Sequence, residues 1–117
     1  MKEEKDSLIF VKHILENIED IEKFSKNLSE KEFEKDVLKQ KAIIRSIEVI
    51  GEATKNIPDS FKEKYPKISW KDIVGTRDKL IHHYFGVDLN SVWKVVKEDI
   101  PELKTQLLDI LKKEKQN

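Results

Sequence analysis

The amino-acid sequence predicts an all-α protein, a four- to five-helix antiparallel bundle, and three observations carry that prediction. Apolar residues recur at steps of three and four through most of the chain, the spacing that lines one side of a helix. Charged residues make up 39% of the chain against 8% aromatic residues, the balance of helices that keep one face in water. The three prolines, Pro58, Pro66 and Pro101, stand at the boundaries of the periodic segments rather than inside them. No strand-period alternation, internal repeat or low-complexity linker breaks the pattern. At 117 residues the chain is a single domain over residues 1–117, with one core and room for one site.

The first helix is expected from about Lys5 to Lys26, with Leu8, Val11, Leu15, Ile18, Ile21 and Phe24 forming its buried stripe. Its other face, Lys and Glu, reads as plain solvated surface. His13 lies among these residues without a polar partner one turn away, as a surface or edge histidine. The second helix is announced by a capping box, Ser29 with Glu32, and by Leu28 and Phe33 as a hydrophobic staple. It is expected to start near Glu30 and to run through Val37, Leu38, Ile43, Ile44, Ile47, Ile50 and Ala53 to about Asn56, where Pro58 stops it. That is one helix about 40 Å long. Gly51 falls in its middle, where glycine costs roughly 1 kcal/mol against alanine, so another helix or a ligand should approach closely there.

The segment from Pro58 to Pro66 predicts a helical turn or two pinned by Phe61 and Tyr65. Ser69 then caps a helix that starts at Trp70, has Asp72 in its first turn, buries Trp70, Ile73, Val74, Leu80 and Ile81, and ends near Gly86. Asp88 caps another, from Leu89 to about Lys97, that buries Val92, Trp93 and Val96. Asp99, Pro101 and Glu102 mark a restart, and the last helix uses Leu103, Leu107, Ile110 and Leu111.

Composition excludes several classes of function. Lysine plus arginine equals aspartate plus glutamate at 23 each, so no overall basic field draws in nucleic acid, and any such contact must be local. The absence of cysteine removes disulfides and thiolate metal sites. The first twenty residues mix acids and bases into their apolar positions, unlike a signal peptide or a membrane span. A soluble, cytoplasmic protein is the reading that follows.

The chemically densest stretch is Gly75 to Gly86, GTRDKLIHHYFG, which holds Arg77, His82, His83 and Tyr84. The chain has two arginines, Arg45 and Arg77, against twenty-one lysines. Where a bare positive charge suffices this sequence uses lysine, and an arginine fork can grip a phosphate in two places; the alternative is a simple ion pair of Arg77 with Asp78 or a nearby glutamate. His82 can take and give a proton near neutrality. Cleaving RNA without a metal needs a base for the 2′-hydroxyl, an acid for the leaving oxygen and a cation for the charge growing on phosphorus, needs that Arg77 and His82 match. The other reading of His82, and the better one for His83, is a histidine meeting the free carbonyls of a helix C-terminus. Asp78, four residues before His82, could orient the imidazole or could pair with Lys71 or Lys79. Tyr84 could hold substrate or present a nucleophilic hydroxyl, or could simply pack. Adjacent histidines point about 100° apart and nothing completes a ligand set, so no metal and no cofactor are expected. Arg45, Glu48 and Glu52 read as an ion-pair ladder.

Arg77 and Tyr84 fall nearly above one another on a helix, whereas His82 sits about 140° from Arg77. One ideal helix therefore does not aim all three at a single atom, and either the helix changes course near the histidines or a second copy of the chain completes the site.

The pattern R-x-x-x-x-H-x-Y from Arg77 to Tyr84, flanked by W-K-D-I-V-G from Trp70 and Y-F-G-V-D from Tyr84, resembles the HepT toxins of the HEPN superfamily. R-S-I-E-V-I-G-E from Arg45 and D-I-P-E-L-K from Asp99 are similar as well, so the resemblance covers almost the whole chain. It implies a homodimeric HEPN-like bundle whose motif faces a cleft between subunits. It also implies a metal-independent ribonuclease toxin of a type VII toxin–antitoxin system, acting on cellular RNA, tRNA or mRNA. The implied partner is an MntA-type nucleotidyltransferase antitoxin that transfers AMP from ATP onto the motif tyrosine, here Tyr84. The implied roles are Arg77 and His82 in catalysis, with Asp78 and Tyr84 in support. The rival reading keeps the bundle but makes it a non-catalytic module that docks on a nucleotidyltransferase.

Overall fold

The stripe on the first helix forms as its spacing dictates at Val11, Ile18 and Ile21, and Ile14 joins it. Val11, Ile14, Ile18 and Ile21 are buried, while Leu8, Leu15 and Phe24 pack at the edge of the core. In the computed structural model, which describes residues 2–82 and 88–115 with side chains over 5–80 and 88–115, this helix is α1, Lys2–Ser25. It stops because the chain turns left-handed at Asn27, φ 59°, a conformation asparagine tolerates. The Leu28 N–H then returns to the Ser25 carbonyl at 3.0 Å. His13 is exposed and has a partner the spacing did not suggest, Glu16 at 3.7 Å.

The capping box is present: the Glu32 N–H donates to Ser29 Oγ at 3.1 Å and the Ser29 N–H to Glu32 Oε1 at 3.0 Å. The single long helix expected after it is not. It is two helices, α2 (Glu30–Lys35) and α3 (Val37–Lys55), separated at Asp36. The Asp36 carboxylate accepts the Lys39 N–H at 3.0 Å, an N-cap of its own. The carbonyls freed by the break, those of Phe33 and Glu34, accept from the Gln40 side-chain amide at 2.8 and 3.0 Å. Val37 and Leu38, expected to face inward, are therefore 58% and 79% exposed in the first turn of α3. Beyond them Ile43, Ile47 and Ile50 are buried as anticipated.

The connector forms α4 (Asp59–Lys64), with Phe61 buried and its ring 5.3 Å from that of Tyr65. The next helix, α5 (Trp70–His82), is seated by Trp70, whose indole N–H donates to the Tyr65 carbonyl at 3.0 Å. Its expected end near Gly86 lies outside the described residues. Asp88 caps α6 (Leu89–Lys94) through the Asn90 N–H at 3.0 Å, and the Trp93 ring lies tilted against that of the buried Phe33, their centroids 5.3 Å apart. The expected restart before Pro101 takes the form of a π turn, Val95–Asp99, leading without a gap into α7 (Ile100–Lys115). A proline removes an N–H and crowds the carbonyl four residues earlier. The wider turn, in which the Ile100 N–H reaches the Val95 carbonyl, gives the ring room without ending the helix.

The long helices α1, α3, α5 and α7 make up the bundle, with α3 packed against both α1 and α5 and with α7 against α1. The all-α bundle is thus the fold observed. Its shortest dimension, 20 Å, is about two helix diameters, so every helix keeps one face outward. Among the described residues no helix is long and apolar enough to cross a membrane.

The end of α7 is tied to the rest by Glu114, which accepts from the Tyr65 hydroxyl at 2.7 Å and from Lys64 Nζ at 2.9 Å. Burial, with that bond to a carboxylate, pushes the Tyr65 hydroxyl up to about 12 from 10.0. A raised folded value means that this contribution to stability is complete below pH 10 and is lost as pH rises through about 12. Tyr65→Phe is expected to lower stability in urea titrations by about 1 kcal/mol at neutral pH. The gap between variant and wild type should close over pH 10 to 12, and a gap constant with pH would contradict this account.

Candidate functional site

The site is built on the seam between α3 and α5, and Gly51 sets how closely they meet. A Cβ at position 51 would overlap the Arg77 Cβ and sit 2.6 Å from its Cγ, with the Ile73 carbonyl 3.4 Å away. The close approach expected at Gly51 is therefore made by α5, and by the root of the Arg77 side chain in particular. That root cannot swing clear as the far end of a flexible chain could. Gly75, on α5, has nothing within 4 Å of where its Cβ would lie.

Pressed against α3, Arg77 is only 21% exposed in its side chain. Its Nε is buried without a hydrogen-bond partner among the described residues. Its Nη1 donates to Asp78 Oδ1 at 3.0 Å, the ion pair foreseen as the plainer reading of this arginine. The same oxygen accepts from Lys55 Nζ at 2.9 Å. Two cations thus share one carboxylate oxygen, and hydrogen bonds first from Lys55 and then from Arg77 hold the Asp78 carboxyl below its usual range. Sequence reasoning placed Asp78 beside His82, Lys71 or Lys79, and it did not anticipate Lys55. The signal was faint: Lys55 lies four residues after Gly51, hence on the same face of α3, but no local spacing links it to a residue 23 positions on.

An open groove of about 830 Å³ runs past the Lys55–Asp78 pair between α4 and α5, lined by acids as well as bases: Asp59, Glu63 and Asp72 beside Lys62 and Lys71. A smaller cavity of about 160 Å³ lies between α3, α5, the π turn and α7, with Asp72, Asp99 and Glu102 at its rim. Burial, then the charges of Glu98, Glu102 and Asp72, raise the Asp99 carboxyl above its usual range. Arg45 pairs with Glu48 at 3.4 Å, one rung of the expected ladder.

The backbone of α5 is helical through His82, so positions 77 and 82 lie about 140° apart around the helix axis. The His82 side chain, His83 and Tyr84 lie outside the described residues. The structure therefore brings together Arg77, Asp78 and Lys55, with His82 five residues further along the same helix.

A family model described as ribonuclease HepT-like matches residues 14–110. The chain belongs to the HepT-like ribonuclease family. A HepT-family relative from Thermococcus cleftensis, named a probable ribonuclease HepT, is 50% identical over 95 residues, covering 81% of this chain and 86% of that protein. A protein of Caldanaerobacter subterraneus subsp. tengcongensis, provisionally named an RNase, is 46% identical over 106 residues, 91% of this chain and 95% of its own length. A Methanocaldococcus jannaschii protein named a gamma-glutamylcyclotransferase and, provisionally, an RNase is 51% identical over 107 residues. The match covers 92% of this chain, but the chain spans only 48% of that longer protein. No solved structure matches the chain.

The two helical glycines of this HepT-like chain make opposite predictions. Gly51→Ala should lower stability by about 1–3 kcal/mol, because overpacking against Arg77 outweighs the better helix propensity of alanine. Gly75→Ala, with open space to enter, should raise it by about 0.5–1 kcal/mol. Urea unfolding curves decide this, and a stabilised Gly51→Ala variant would show that the seam is looser than described.

Proposed function

We propose that this chain is a metal-independent ribonuclease toxin of a type VII toxin–antitoxin system, acting on cellular tRNA or mRNA as a homodimer. The observation that carries the reading is a half-buried, braced Arg77 five residues before His82 on one regular helix of a HepT-like chain. In this mechanism His82 serves as general acid/base. As base it takes the proton of a 2′-hydroxyl whose oxygen attacks the neighbouring phosphorus; as acid it returns a proton to the departing 5′-oxygen. Arg77 stabilises the charge that builds on the phosphoryl oxygens, and Asp78 keeps the guanidinium in place. A helix that places positions 77 and 82 about 140° apart around its axis supports the dimer: two shallow half-sites facing one cleft supply a base, an acid and two arginines.

Control of such an enzyme is assigned to an MntA-type nucleotidyltransferase antitoxin, which transfers AMP from ATP onto Tyr84 with release of pyrophosphate. The anionic adenylyl group would occupy the cleft and repel RNA phosphates. The equal numbers of acidic and basic residues, 23 each, favour the second reading, a non-catalytic module that docks on a nucleotidyltransferase. One measurement separates them, and a second tests the tyrosine. Induced expression should arrest growth, and His82→Ala should relieve the arrest; equal toxicity of the two chains rejects catalysis by His82. Incubation with the partner and ATP should add whole AMP masses at Tyr84 and none to a Tyr84→Phe chain.

A further inference from the structure

An arginine that is to meet a phosphate cannot also be neutralised by its own neighbour, and Asp78 is the neighbour placed to do that. Its Oδ1 lies 3.0 Å from Arg77 Nη1. On its own this pair would carry no net charge, and an anion arriving at Arg77 would face a carboxylate in competition for the same donors. Lys55 changes the sum. Its ammonium sits 2.9 Å from the same Oδ1, so the three groups together keep one positive charge.

The origin of Lys55 makes the arrangement a fixed one. It comes from the last turn of α3, four residues after Gly51, and Gly51 is the point at which α3 touches the root of Arg77. One helix face therefore sets both where Arg77 leaves α5 and what Asp78 bonds to. The pair also borders the 830 Å³ groove, whose other charged residues are Lys62, Lys71, Asp59, Glu63 and Asp72, and the Lys55 and Asp78 side chains are 42% and 40% exposed.

The geometry points to Lys55 as a positioning residue of the ribonuclease site, one that shares the Asp78 carboxylate with Arg77 and so leaves the Arg77 charge available to a substrate phosphate. This rests on the ribonuclease reading above. It assigns a role to a residue outside the Arg77–Tyr84 motif, and it explains how Asp78 can hold Arg77 in line without cancelling its charge.

The test is binding of a single-stranded 2′-O-methyl oligonucleotide, which lacks the attacking hydroxyl, by the full chain over a range of salt concentrations. Lys55→Met should weaken binding about three- to tenfold and flatten the slope of log Kd against log salt by about 0.7, the loss of one phosphate contact at Arg77. Lys55→Arg should retain wild-type binding. Adding Asp78→Asn to Lys55→Met removes the competing charge while keeping an amide oxygen for Arg77 to donate to, and should restore the slope, which a merely structural salt bridge would not do. Circular dichroism confirms folding, with Lys55→Gln as the replacement if the methionine variant is misfolded. Wild-type binding and slope in Lys55→Met overturn the proposal, as does a weakened Lys55→Met whose slope Asp78→Asn leaves unrestored. Cleavage of the unmodified RNA by the wild-type chain is read separately: its absence removes the ribonuclease reading and this proposal with it, whereas cleavage with an unaffected Lys55→Met removes this proposal alone.

Discussion

The contact of Gly51 with the root of Arg77 is the constraint on which the site depends. A glycine inside a 19-residue helix weakens that helix by roughly 1 kcal/mol relative to alanine. The return is an approach of α3 to α5 that no side chain at position 51 would permit. With the Arg77 stem wedged there, its guanidinium emerges in one direction. Lys55, one turn on along α3, then falls within reach of Asp78. A wider seam would leave the same residues in the chain and scatter the charges they carry.

The helices themselves show where regular patterning yields to local chemistry. Apolar spacing from Phe33 to Ala53 is continuous enough to suggest one helix, but Asp36 offers the backbone a competing partner. Gln40 then satisfies the carbonyls that the break exposes. Around Pro101 the opposite happens. A residue that usually ends a helix is absorbed by a π turn, because a wider ring of backbone hydrogen bonds removes the clash while Val96 and Ile100 stay in the core. In both places backbone and side-chain hydrogen bonding, and not apolar period, decided whether the helix broke or continued.

The electrostatics follow the same logic of local supply. A chain with no net charge offers RNA no long-range attraction, so charge must be concentrated where it is used. Two cations on one carboxylate oxygen achieve that concentration in a small space. The family relation places Arg77 in a HepT-like ribonuclease chain, and the packing of α3 on α5 gives its side chain direction.

The sequence by itself determined the class of the fold, most helix starts, the core positions from Ile43 to Ile50 and the dense stretch that includes Arg77 and His82. Those are properties of spacing, capping and side-chain type, and they are local. It also indicated that something must come close to Gly51, because an unexplained glycine inside a helix asks for a neighbour. Only the tertiary structure decided that the neighbour is Arg77, that Asp36 turns Val37 and Leu38 outward, and that Lys55 bonds Asp78. Each of these joins residues whose meeting depends on how helices pack or on which of several polar groups captures a backbone donor. Such outcomes depend on distances in space that spacing along the chain does not encode.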